Sequence, residues 1–87
     1  MTGIALSDAV TGRRVTIERI DLEGEAGAWL AAVGLHEGEE LIVLRRAALG
    51  GPLHVRTSSG GEFAVAREVA AQIRVLLVPS AAAKGVP

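Results

Sequence analysis

Between Arg14 and Ile20, Val15 and Ile17 alternate with Thr16 and Glu18. A period of two predicts a strand with one buried face. Ile20 falls out of phase with Ile17, so a bulge or the strand end is expected between them. Gly12 suits a turn before this strand. From Glu25 to Val33 the period changes, with Ala26, Trp29, Leu30 and Val33 recurring at helical spacing. They predict a short helix with one apolar stripe, and Glu23 and Glu25 favour its positive end. Gly34 follows the last periodic residue, where a left-handed C′ residue ends a helix and lets Leu35 fold back onto Leu30.

Beyond the helix, His36-Glu37-Gly38-Glu39 reads as a turn. Leu41-Ile42-Val43-Leu44 is a continuous apolar run, as expected of a strand covered on both faces or bent within a small barrel. Ala47 to Pro52 forms a loop. Leu53, Val55 and Thr57 mark the next strand, Gly60-Gly61 a tight hairpin, and Phe63 and Val65 the return. Arg67 to Gln72 is too short for more than a helical turn. Ile73, Val75 and Leu77 form the last strand. The expected fold is mainly β: about five short strands, one helix after the first strand and a helical turn before the last. Closing so short a sheet removes exposed edges, which favours a small SH3-like barrel over an OB-type barrel. Residues 1–78 are expected to form a single domain, and 79–87 a disordered tail.

The chain has 87 residues, enough for one small core. It has only two aromatic residues, Trp29 and Phe63. Both are assigned to the core, so Trp29→Ala is expected to cost about 3–5 kcal/mol. No apolar run is long enough to span a membrane. The absence of cysteine excludes disulfides and thiolate chemistry. With no secretory signal at the N-terminus, the cytoplasm is the expected compartment. A net charge of −1 and so few aromatics argue against a nucleic-acid partner, which needs a basic groove and stacking platforms. Charge is nonetheless uneven. Glu18 to Glu40 holds seven acids and one base, whereas Arg45 to Arg74 holds five bases and two acids. The two segments either neutralise each other or leave a bipolar surface that orients docking.

Candidate chemistry is sparse. His36 and Glu37, together with Glu39 and Glu40, have the residue types of a metal cluster without recognised spacing, and His54 is the other candidate ligand. No cofactor beyond a weakly held divalent metal is expected. Ser7, Ser58 and Ser59 lack a nucleophile's base and orienting group. The diglycines lack the Lys-Ser/Thr of a phosphate loop. The chain reads as a non-enzyme.

The order of residues carries more than any one motif. Leu6, Gly12 and Val15-Thr16-Ile17 precede Leu30-Ala31-Ala32-Val33-Gly34-Leu35. Then come Glu37-Gly38, Leu41-Ile42-Val43-Leu44 and Leu49-Gly50-Gly51-Pro52-Leu53-His54-Val55, and finally Phe63-Ala64-Val65-Ala66-Arg67, Ala70 and Ile73-Arg74-Val75. Over about residues 5 to 78 this set resembles the FeoA family, small cytosolic partners of the bacterial ferrous-iron transporter FeoB. Glu37-Gly38 stands where the family often has Pro-Gly, and Ala66-Arg67 where it usually has Leu-Arg.

The resemblance implies an accessory protein of ferrous-iron uptake. It would dock to the cytoplasmic G-protein region of a FeoB-type transporter and be recruited by it to the inner face of the plasma membrane, without inserting. The same barrel is similar to the C-terminal domain of metal-dependent repressors, which implies the alternative of a regulatory domain binding a divalent transition metal. A docking patch should be partly apolar on rigid backbone. Two segments qualify: Leu35, His36, Glu37 and Gly38, and the loop containing Leu49, Gly50, Gly51 and Pro52. Leu49 either joins that patch or plugs the barrel end. Arg67 is expected in a structural ion pair.

Overall fold

The computed structural model describes residues 3–79; the tail expected over 79–87 lies outside the described residues apart from Pro79. The elements in chain order are β1 (Ile4–Ala5), a 3₁₀ turn (Leu6–Asp8), β2 (Arg14–Ile20), α1 (Gly24–Ala32) and β3 (Glu40–Arg46). They continue with β4 (Leu53–Thr57), β5 (Glu62–Val65), α2 (Arg67–Ala70) and β6 (Ile73–Leu77). The strands form one antiparallel sheet in the order β1-β6-β2-β3-β4-β5. There are six strands rather than about five, because Ile4 and Ala5 pair with Val75 and Arg74 of β6. Two residues have no local period, and only their partner makes them a strand.

The alternating residues do what their period demands. Val15, Ile17, Leu41, Val43, Leu53, Val55, Val65, Ile73 and Val75 enter one core cluster, joined by Leu6, Ala9, Leu30, Leu35 and Ala70. The register of β2 against β6 slips between Ile17 and Arg19, the bulge that the phase change required. β3 alternates, with Leu41 and Val43 buried and Ile42 and Leu44 half-buried, and its register against β4 slips between Val43 and Arg45. Thr57 closes the β4–β5 turn: its N–H donates to Gly61 O at 2.8 Å, and its Oγ1 accepts from the Gly61 N–H at 3.2 Å.

The end of α1 follows the expected pattern bond by bond. Gly34 has φ +92°. The Leu35 N–H donates to Leu30 O at 2.9 Å, and the Gly34 N–H to Ala31 O at 3.1 Å. These are the paired bonds of a Schellman motif, with Leu30 and Leu35 both buried at its base.

The two aromatics correct the sequence reading. Phe63 is only partly buried against the core. Trp29 is 43% exposed, and α1 buries Leu30 alone. The stripe exists, but the sheet covers only its centre, because a helix of 9 residues meets the core over little more than one turn. The expected loss for Trp29→Ala therefore falls to about 1–2 kcal/mol, since nearly half of the side chain already faces water. A melting temperature within several degrees of wild type would bear this out.

Candidate interaction surface

Two features dominate the surface. The first is built on α1. Apart from Glu25 the helix is Gly24-Glu25-Ala26-Gly27-Ala28-Trp29-Leu30-Ala31-Ala32, apolar on every side, yet Ala28, Trp29, Ala31 and Ala32 face solvent. A helix apolar all round belongs in a protein interior. Its exposure here leaves a groove of about 810 Å³ between α1 and the β5–α2 corner, lined by Ala26, Ala28, Trp29, Ala64, Ala66 and Val69 with Glu25. The small alanines set its depth, and Trp29 is its one large apolar wall. Periodicity pointed to Trp29 as core. The signal that finds the groove is the run of alanines on the outer side of the helix, which no described strand or loop covers.

The second feature is the loop joining β3 to β4. Its neck is closed by the Ala47 N–H donating to Pro52 O at 2.9 Å and the Gly51 N–H to Ala48 O at 3.2 Å. At its tip Leu49 is fully exposed and takes φ +59°, the only positive φ at a non-glycine among the described residues. Leu49 is therefore no plug. Gly50, at φ +75°, lies against the Arg67 guanidinium: a Cβ there would sit 3.5 Å from Nη1. Arg46 anchors the loop base by donating to the carbonyl oxygens of Ser7 and Ala9.

The other docking segment is placed differently. Leu35 is buried, whereas His36, Glu37 and Gly38 are exposed. A second groove of about 550 Å³ runs on this side of α1, lined by residues that include Ile20, Leu22, Ala31, His36 and Glu37.

The histidines are held apart. His36 lies 3.7 Å from Glu39 by Nε2 and 3.0 Å from Glu37 O by Nδ1. Glu39 is itself occupied, accepting from Ser58 Oγ at 3.0 Å. His54, on β4, meets Glu62 of β5 at 3.1 Å, and Glu62 also holds Arg56 at 3.2 Å. Among the described residues no three or more His, Asp or Glu side chains gather as a metal would need. The serines do not sit on a base: Ser58 and Ser59 point at Glu39, and Ser59 also meets Thr57.

The Glu62 carboxyl is held below the usual carboxylate range, first by its hydrogen bond to His54 and then by that to Arg56. A depressed carboxyl stabilises the fold above its ordinary range, and that contribution is lost as pH falls through the lowered value. Stability should therefore decline on acidification below the normal glutamate range, and Glu62→Gln should flatten that part of the profile. Urea melts at a series of pH values check this. An unchanged profile would show the His54–Glu62–Arg56 cluster to be energetically idle.

The five ion pairs among the described residues are Arg14–Glu40, Arg19–Asp21, His36–Glu39, His54–Glu62 and Arg56–Glu62. None joins the acidic stretch 18–40 to the basic stretch 45–74. The expected ion pair of Arg67 does not form among the described residues. Among the described residues the two stretches are not joined by a direct ion pair.

Residues 4–77 match the family model of the FeoA domain. No curated protein is significantly similar to the chain in sequence. Among solved structures, the FeoA protein of Chlorobium tepidum is 29% identical, with a TM-score of 0.79 over 86% of this chain and 70% of that one. An iron uptake regulatory protein (FeoA) is 23% identical, with a TM-score of 0.76 over 90% of this chain and 100% of that one, a likeness of fold. A manganese-dependent transcriptional repressor in complex with manganese is 25% identical, with a TM-score of 0.81 over 87% of this chain but only 37% of its own. The SH3-like fold expected from the strand pattern is thus the fold observed, shared with proteins of two kinds.

Proposed function

The chain belongs to the FeoA family, and from that premise we propose that it is a non-catalytic accessory protein of bacterial ferrous-iron uptake. It docks to the cytoplasmic G-protein region of a FeoB-type transporter, which carries the iron. The observation that supports this most is the family match from residue 4 to residue 77, which takes in every element of the sheet. The surface supports the same reading. Its conspicuous features are an exposed tryptophan and an exposed leucine loop, which are devices for binding a macromolecule. No described helix is long and apolar enough to cross a membrane. Deleting the gene in its own host and measuring uptake of radioactive ferrous iron tests the role. Uptake should fall and return on complementation; uptake equal to wild type would refute it.

The likeness to the manganese-dependent repressor favours a second reading, an SH3-like regulatory domain in a metal-responsive transcription system. It requires binding of a divalent transition metal. Calorimetric titration with Mn²⁺ and Fe²⁺ separates the two, as does a gene for a large G-protein permease next to this one.

A further inference from the structure

The groove and the loop match each other. We propose that the chain binds a second copy of itself, the Leu49 side chain of one copy entering the Trp29 groove of the other. Leu49 is fully exposed on a closed loop and held in left-handed backbone, an arrangement that costs energy and buries nothing among the described residues. The groove is apolar, wide enough for a leucine, and floored by alanines that allow close approach.

Charge selects the occupant. Glu25 lines the groove and Glu68 lies in α2 beside Val69. Arg45 precedes the loop and Arg67 lies against its Gly50. None of these four residues makes an ion pair among the described residues. An unused acid, Glu25, therefore lines the groove, and an unused base, Arg67, lies against the loop that carries the leucine. Within one chain they remain unmatched; between two copies they meet. One side chain in a groove buries far less than the roughly 1,600 Å² of a standard stable complex. The association is accordingly weak and reversible, appearing only at high protein concentration. It does not depend on the transporter reading.

Sedimentation velocity of the full chain from about 10 µM to about 1 mM tests this range. The weight-average sedimentation coefficient should rise with concentration. Trp29 is the only tryptophan, so its emission should shift to shorter wavelength over the same range. Leu49→Asp should abolish both changes. Aspartate tolerates left-handed backbone, so the variant should keep its circular dichroism and melting temperature. Leu49→Asn repeats the test without added charge. Glu25→Arg and Arg45→Glu should each weaken association about two- to five-fold, and an equimolar mixture of the two variants should associate more tightly than either alone. A wild type that stays monomeric at about 1 mM, or folded Leu49 variants that associate like wild type, would overturn the proposal.

Discussion

Leu30→Ala is expected to destabilise the fold by about 3 kcal/mol and to lower the melting temperature by roughly 10–25 °C. Leu30 is fully buried and is the only buried side chain of α1. The half-buried Ala26, Gly27 and Val33 add little area, so the helix hangs on one anchor. Truncation removes that anchor's apolar contacts and opens a cavity under the helix, in a domain too small to have much in reserve. The Leu30 carbonyl also receives the Leu35 N–H that closes the helix end. Losing the side chain therefore loosens the Schellman motif as well as the core. Leu30→Met, which nearly conserves volume, should lose less than about 1.5 kcal/mol. A drop of only a few degrees for Leu30→Ala, no larger than that of Trp29→Ala, would mean that α1 is held some other way.

Gly34→Val should cost about 2 kcal/mol, for a different reason. At φ +92° the backbone lies where a β-branched residue is strained, yet a Cβ there would meet nothing within 4 Å. The penalty is conformational, not steric crowding by neighbours. Gly34→Asn should consequently lose distinctly less, because asparagine visits left-handed backbone readily. Thermal melts of the two variants distinguish the causes. Equal losses would implicate the missing glycine in packing, and no loss in the valine variant would show that the helix does not end in a left-handed residue.

These residues also show where sequence reading works. Gly34 and Leu35 could be placed from the chain alone because a helix stop is local chemistry: a periodic run, a glycine and a leucine at fixed offsets. The bulge near Ile17 was legible for the same reason, since a phase error between Ile17 and Ile20 must be absorbed somewhere. β1 was not legible, because two residues become a strand only through β6, some seventy positions away. β3 runs past its apolar centre to Arg46 because Arg45 and Arg46 continue the ladder to His54 and Leu53, and pairing is indifferent to side-chain charge.

The candidate site was harder to read. Helical spacing tells which residues share a face; it does not tell whether anything covers that face. Trp29 and Leu30 lie on the same stripe, but one is open and the other sealed. Leu35 qualifies for docking by its position after the helix, and that same position folds it into the core. Charge segregation was visible in the sequence, but whether the two segments neutralised each other depended on distances that only the fold sets.

The most direct test of the central claim is a pulldown between the purified chain and the cytoplasmic domain of its host's FeoB-type transporter. It should be run at tens of micromolar protein with and without guanine nucleotide. Saturable retention of the transporter domain is the expected result. Absence of binding in both conditions would contradict the claim.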